Sequence, residues 1–268
     1  MSLDSLAIYK KIDIASAKPT VSERQGVKHF GIDLIYPNEN FSVKAYIDLY
    51  KQVKLYCQNS RKNLLIIGGT GFYLHALTHG VSKLPHITPN ATMQAKEVLS
   101  DLQSAYRFLL EKEPSTKIKQ NDRYRIQKWY ELWFTCKLTQ KQYFAKHPPQ
   151  PVIEKSIPIF EIDMDRELLR KKIDQRTEAM FAQGIVTEVS ELVSEYGKDC
   201  QPFGAIGIKE VIEYLDGKSS YEQTKELVAT NTKRLAKRQR TFNRSKFTDR
   251  ISLDLDTIGG AIKDAYGN

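Results

Sequence analysis

From Ser42 onward, Val43, Tyr46, Ile47 and Tyr50 fall at helical spacing, which predicts an amphipathic helix with Ser42 as its N-cap. Asn63 to Ile67 (NLLII) is instead an unbroken aliphatic run, the pattern of a short buried strand. It ends in Gly68-Gly69-Thr70-Gly71 and opens a helical pattern, FYLHALT. A strand, a glycine turn and a helix make a βα unit, so the expected class is α/β with a parallel sheet. Ser2 to Ser5 reads as the end of another strand, followed by a polar stretch carrying Lys10, Lys11 and Lys18 up to Pro19, and then by HFGIDLI at 29–35.

From His86 to Gln150 the pattern turns helical throughout, bounded by Pro85 on one side and the run His147-Pro148-Pro149-Gln150-Pro151 on the other. That predicts a helical domain at 86–150 inserted into a core made of 1–85 and 151–268. Ile157 to Met164 (IPIFEIDM) reads as a strand returning to the sheet. The rest is mostly helical, with Gly184, Gly204, Gly207 and Gly217 as punctuation.

A chain of 268 residues with 41% hydrophobic content can bury a sizeable core. No stretch approaches the roughly 20 apolar residues needed to cross a bilayer, and MSLDSLAIYKK lacks the features of a secretory leader, so a cytoplasmic address is expected. Cys57, Cys136 and Cys200 form no C-x-x-C pair and are expected to be buried thiols. The formal charge of +9 points to a polyanionic partner, because Lys and Arg beside phosphates release condensed counterions.

Five groups of residues carry candidate chemistry. Asp4-Ser5, at the C-terminal end of a strand, lies where open α/β sheets collect ligands, and a carboxylate there can take a proton from an amine; an isolated Asp-Ser is equally read as a turn or helix cap. The Gly68-Gly69-Thr70-Gly71 turn lets a phosphate approach backbone N–H groups at a helix N-terminus, with Thr70 as an added donor, though a tight turn alone also explains it. Asp122 is placed to cap a helix whose Ile126, Trp129, Tyr130 and Trp133 form an apolar stripe, while Arg125 and Lys128 sit on another face, solvated or gripping phosphates. From Asn231 to Arg244 the chain is densely basic, and Lys233, Lys237, Arg240 and Arg244 line one helical face, widened by Arg234 and Arg238. So many like charges repel unless an anion neutralises them, which favours phosphate contact. His75 and His79 stand four apart without a third ligand, so no metal is expected there.

Taken in order, these segments resemble the tRNA dimethylallyltransferase family, also called tRNA isopentenyltransferases. Asp4-Ser5-Leu6-Ala7-Ile8-Tyr9-Lys10 is similar to its D-S-x-Q-V-Y-R, and Asp13 to Pro19 (DIASAKP) to its D-I-G-T-A-K-P. His29 to Asp33 resembles H-x-x-I-D, and Gly68 to Tyr73 resembles G-G-T-G-L-Y. Asn121-Asp122 with Arg125, Ile126 and Lys128 is similar to N-D-x-x-R-I-x-R, and Gly207-Ile208-Lys209-Glu210 to G-Y-[KR]-[EQ]. Leu235-Ala236-Lys237-Arg238-Gln239 matches L-A-K-R-Q. Seven such matches in the right order, from end to end of the chain, leave little room for chance.

The resemblance implies a P-loop-like parallel-sheet core with a helical insertion. It implies transfer of a dimethylallyl group from its diphosphate to N6 of the adenosine beside the anticodon (position 37) of tRNA, with Mg²⁺ neutralising the leaving diphosphate. On that reading Asp4 is the general base, and Thr70 and Lys209 are catalytic, with Gly68, Gly69 and Thr70 meeting the diphosphate. The anticodon stem-loop would be held by Ser5, Leu6, Ala7, Tyr124, Arg125, Ile126, Gln127, Lys128, Gly207, Lys237, Arg238 and Gln239. The family opens with a strand and a G-x-[TS]-x-x-G-K-[ST] loop roughly thirty residues before the Asp-Ser motif. Here Asp4 is the fourth residue, so the P-loop is expected to be absent from this sequence. Ala7 stands where the family often has Gln, which removes an amide from adenine recognition; Ile8, Ile208, Lys128 and Lys209 are smaller departures. Two other readings share these features: an adenylate isopentenyltransferase acting on free nucleotides, and a catalytically inactive RNA-binding remnant. A monomer is expected.

Overall fold

The computed structural model describes residues 1–153 and 156–266. Its elements run α1 (Val43–Asn59), α2 (Gly71–His79), α3 (Pro89–Val98), α4 (Leu102–Lys112), α5 (Arg123–Cys136), α6 (Gln140–Lys146), β1 (Phe160–Ile162), α7 (Arg166–Ala182), α8 (Ile185–Tyr196), α9 (Ile208–Leu215), α10 (Tyr221–Lys246), β2 (Ile251–Leu253) and α11 (Ile258–Tyr266). The chain divides into two compact units, one of residues 1–77 with 154–268 and one of residues 78–153. No described helix is long and apolar enough to cross a membrane.

The 78–153 unit is helical because its apolar residues fall on single helix faces. The hydroxyl or carboxylate of Thr88, Asp101, Asp122 and Thr139 caps the N-termini of α3, α4, α5 and α6 in turn. The stripe read from the sequence is the core: Ile126, Trp129 and Tyr130 are buried with Leu99, Leu109 and Ile118, and Trp133 packs against them. Among the described residues its buried polar side-chain atoms are all satisfied. The Tyr130 hydroxyl donates to the Ala105 carbonyl at 2.9 Å, and the Trp129 indole N–H donates to Glu113 Oε2 at 2.9 Å.

In the 1–77/154–268 unit the sheet is smaller than the sequence pattern suggests. Among the described residues the only two-stranded ladder is the parallel pair β1–β2, in which Phe160 faces Ile251 and Ile162 faces Leu253. The NLLII run is extended but makes only a single parallel bridge, Ser2 with Ile67. It is not fully buried either, since Leu65 and Ile67 are 38% and 65% exposed. The aliphatic run therefore behaves as a half-covered segment with one flank paired, and the observed class is mainly helical with a small parallel sheet. α1 forms as expected, with Ser42 Oγ accepting from the Ala45 N–H and Tyr46, Ile47 and Tyr50 buried beneath it. The cysteines differ from expectation: Cys57 is buried, whereas Cys136 and Cys200 are only partly covered because their helix-end positions leave one side open.

α9 and α10 are tied by a buried carboxylate. Glu210 is 5% exposed and accepts from the Gly207 N–H and from Asn231 Nδ2, both at 2.8 Å. Glu210→Ala leaves both donors unsatisfied and is expected to cost about 2–3 kcal/mol in urea unfolding, with Glu210→Gln, which keeps one acceptor, losing less.

Candidate active site

Two backbone hydrogen bonds through Leu3 bring Asp4 to the glycine turn: Leu3 N–H donates to the Ile67 carbonyl at 2.7 Å, and Thr70 N–H donates to the Leu3 carbonyl at 3.0 Å. The next amide, Ser5 N–H, donates to Thr70 Oγ1 at 3.3 Å. Asp4 Oδ1 accepts from the N–H groups of Leu6 at 2.7 Å and Ala7 at 3.2 Å. That turn leaves Oδ2 without a hydrogen-bond partner among the described residues, so the carboxylate is oriented by one oxygen and offers the other.

The turn itself requires glycine. A Cβ at Gly68, whose φ is +153°, would lie 2.5 Å from the Leu3 carbonyl oxygen, the atom that receives the Thr70 N–H. At Gly69 a Cβ would overlap the Gln239 amide, and at Gly71 it would come within 2.8 Å of the Phe242 ring and 2.9 Å of Asn243 Oδ1. One face of α10 is therefore seated on the bare turn, and Gln239 stands over Gly69. Tyr73, in the first turn of α2, stacks on Tyr46 with ring centroids 4.4 Å apart, and the Tyr46 hydroxyl donates to the Ser2 carbonyl. Burial above all, with the neighbouring Tyr9 and Asp4, pushes the Tyr73 hydroxyl up to about 12, so it stays protonated near Asp4 at neutral pH.

α10 is held in place by Glu161 on β1. Glu161 accepts from Asn243 Nδ2 at 2.9 Å and from Arg250 Nε at 2.6 Å. Burial pushes its carboxyl up, but the hydrogen bonds from Arg250 and Asn243, with the charges of Arg250 and Arg240, outweigh this and hold it below the ordinary carboxylate range. The loop at 13–18 is fixed in the same unit. Glu188 on α8 accepts from the N–H groups of Asp13, Ile14 and Ala15, and the buried Lys18 ammonium bonds Asp13, Asp33 and the Tyr9 carbonyl. Glu161, Glu188 and Tyr73 carry no local sequence signal for these roles, because each acts through a partner distant in sequence.

The structure thus gathers Asp4, Ser5, Gly68, Gly69, Thr70 and Gln239. It does not gather every residue the sequence singles out. Lys209 is exposed on α9, and its one ionic partner among the described residues is Glu213 at 3.9 Å. Gly207 and Ala7 are buried, and Ile126 is fully buried in the 78–153 unit, so these three shape the backbone around their neighbours. Leu6 is partly covered. In the 78–153 unit, Tyr124 is 70% exposed, Arg125 pairs with the capping Asp122 at 3.4 Å, and Gln127 and Lys128 both donate to the buried Glu131.

The basic face of α10 is also partly committed. Lys233 pairs with Asp174 at 2.6 Å and Arg240 with Asp163 at 3.6 Å, while Lys237, Arg238 and Arg244 have no ion pair among the described residues. Intramolecular carboxylates thus relieve part of the repulsion that the sequence assigned to an external anion. Arg234, whose Nη1 donates to Asn231 Oδ1 at 3.3 Å, likewise has no ion pair among the described residues, so four cations of this face are unpaired.

Together these residues place a carboxylate beside a glycine turn covered by a basic helix, and the whole-chain comparisons place the chain in a class of group-transfer enzymes. The family model described as IPP transferase matches residues 7–246, and the chain belongs to this family. It is 46% identical to the tRNA dimethylallyltransferase of Sulfurovum sp. (strain NBC37-1), over 94% of this chain and 84% of that one. The Nautilia profundicola protein of the same name is 46% identical over 96% of this chain and 87% of its own. Among solved structures, the full-length tRNA isopentenylpyrophosphate transferase of Bacillus halodurans superposes with a TM-score of 0.68 at 27% identity, covering 99% of this chain and 88% of that one. A eukaryotic dimethylallyltransferase acting on tRNA shares the fold with a TM-score of 0.79, at 22% identity over 94% of this chain and 66% of that chain.

Two measurements probe this arrangement. Gly68→Ala is expected to destabilise the chain by about 1–3 kcal/mol, read by urea unfolding, because the methyl group meets the Leu3 carbonyl that positions Asp4. Glu161 has a depressed pKa, so its contribution is present above the ordinary carboxylate value and lost as pH falls through the folded one. Stability of the wild-type chain should therefore fall more steeply below about pH 4 than that of Glu161→Gln, as followed by thermal melts across the acid range.

Proposed function

We propose that the chain transfers a dimethylallyl group from dimethylallyl diphosphate to N6 of the adenosine at position 37, adjacent to the anticodon of tRNA. The observation that carries this reading is the Asp4 carboxylate, anchored through Oδ1 and open at Oδ2, held beside Thr70 on a glycine turn in a chain of the IPP transferase family. As the C–O bond to diphosphate breaks and the N6–C bond forms, the amine proton passes to Asp4 Oδ2. The Thr70 hydroxyl and the glycine turn face the departing diphosphate, whose growing charge needs donors and cations. Gln239, with Lys237 and Arg238 beside it on α10, meets the RNA, and in the inserted unit Tyr124, Arg125 and Lys128 offer further stacking and phosphate contacts. The adenine has to leave its stack to reach Asp4.

Mg²⁺ belongs to this reading. Among the described residues no group of three His, Cys, Asp or Glu side chains could hold an ion alone. Mg²⁺ would then be carried mainly by the diphosphate oxygens and water, with the Thr70 hydroxyl as a candidate protein ligand. The ion would neutralise the leaving group. The expected working form is a cytoplasmic monomer, and the P-loop-like character of the core belongs to the same proposal.

The test is transfer of radiolabelled dimethylallyl diphosphate to an unmodified anticodon stem-loop, run on this chain and on a form extended upstream by a strand and phosphate-binding loop. Label should enter the RNA in at least one form. Asp4→Asn, which keeps the acceptor for Leu6 and Ala7, should cut that transfer roughly 10²–10⁴-fold while leaving RNA affinity within about twofold. No transfer in either form, with RNA still bound, would establish an inactive RNA binder instead. Preferential labelling of free AMP would establish an adenylate isopentenyltransferase.

A further inference from the structure

The 78–153 unit contains a cleft of about 480 Å³ that the reaction at Asp4 leaves unexplained, and its size falls in the range of small-ligand sites. Its wall combines one carboxylate, Glu113, with three cations, Lys117, Arg125 and Lys141, and the apolar side chain of Ile118. Glu113 is only 9% exposed. Its Oε2 takes the Trp129 indole N–H at 2.9 Å and lies 3.5 Å from the Lys141 N–H, whereas Oε1 has no hydrogen-bond partner among the described residues. A nearly buried carboxylate with one oxygen fixed and the other open is an acceptor-only group, ready for an N–H donor from outside the chain. Arg125 is already paired with Asp122 at 3.4 Å, which leaves Lys117 and Lys141 as the cations of the wall without an ion pair among the described residues, and that pair suits a ligand that brings a phosphate.

We propose that this cleft is a nucleotide pocket selective for guanine, with Glu113 accepting from the base and Lys117 and Lys141 holding its phosphate. The choice of base follows from what a carboxylate can accept. Guanine presents two adjacent donors, N1–H and the N2 amino group, with no lone pair between them. The one open oxygen, Oε1, can accept both guanine donors at once, whereas the Watson–Crick edges of adenine and cytosine offer it one N–H beside a bare ring nitrogen and uracil offers one N–H between two carbonyls. Arg125, 67% exposed along its side chain, supplies a plane on which the base can stack, with Ile118 as the apolar floor. The source of the guanosine 5′-phosphate unit is either a free mononucleotide or a nucleotide splayed from a bound RNA loop. The second source rests on the RNA reading above, and the first does not.

Occupancy is readable in the full chain without any turnover assay. The only two tryptophans are Trp129 and Trp133, stacked with centroids 5.5 Å apart, and Trp129 donates to the very carboxylate that would bind the base. Tryptophan emission is titrated with GMP, AMP, inorganic phosphate, and two short single-stranded RNAs that differ only in guanosine against adenosine. GMP should act at a concentration at least tenfold below that of AMP or phosphate if the free nucleotide is the ligand. A preference shown only between the two RNAs assigns the pocket to RNA. Glu113→Gln keeps an acceptor for Trp129 and turns an amide donor toward the cleft, so it should erase the guanine preference while the urea midpoint changes little; Lys117→Ala with Lys141→Ala should weaken guanine and adenine ligands alike. Equal response to guanine and adenine in both pairs, or an unchanged preference in Glu113→Gln, overturns the proposal. Label transfer by the same preparations reports on the Asp4 site separately, so the two readings fail independently.

Discussion

The position of the Asp4 carboxylate depends on one short exchange of backbone hydrogen bonds. Leu3 donates to Ile67 and accepts from Thr70, so a single residue links the strand-like segment before the glycine turn to the turn itself. Because the two bonds run in the backbone, they set where Asp4 leaves the segment regardless of side-chain rotamer. The tolerance is small: a methyl group at Gly68 would stand 2.5 Å from the same carbonyl. Two backbone N–H groups then fix one carboxylate oxygen of Asp4, which converts a mobile side chain into an oriented carboxylate at a cost already met by folding.

The second constraint comes from the far end of the chain. α10 approaches the turn closely only because Gly69 and Gly71 have no side chains, and its Gln239, Phe242 and Asn243 fill that space. Asn243 and Arg250 converge on Glu161, so the small β1–β2 sheet, although only three residues per strand, anchors the helix that covers the turn. A small sheet is sufficient here because the helix is held by charge-assisted hydrogen bonds to a partly buried carboxylate and does not depend on a long ladder.

Much of this was legible in the sequence where the determinant is local. The caps at Ser42 and Asp122, the stripe of Ile126, Trp129 and Tyr130, and the strand at Phe160–Ile162 all follow from spacing and side-chain chemistry within a few residues. The ordered motifs brought Asp4, Thr70 and Gln239 into one list, and the structure brings them to one place. What composition could not give was partnership. NLLII looks like a buried strand, yet its burial depends on what lies on each flank, and only Met1–Leu3 pairs with it. Glu161 and Glu188 look like ordinary surface acids in sequence, and their partners lie 82 and 173–175 residues away.

The same lesson governs the charge. A net +9 and a dense basic helix suggest a phosphate-binding face, but a positive residue contributes less to such a face once a carboxylate has claimed it. Lys233 and Arg240 are claimed by Asp174 and Asp163, and Lys128 by Glu131, whereas Lys237 and Arg238 are not. Lys237 and Arg238 directly precede Gln239, the residue seated over Gly69, so part of the free positive charge on α10 lies next to the turn, and Arg234 and Arg244 extend it along the helix. An unpaired cation keeps its full attraction for a polyanion, whereas a paired one must first give up its carboxylate, so the fold and not the formal charge sets how much of a basic helix is available to a phosphate chain.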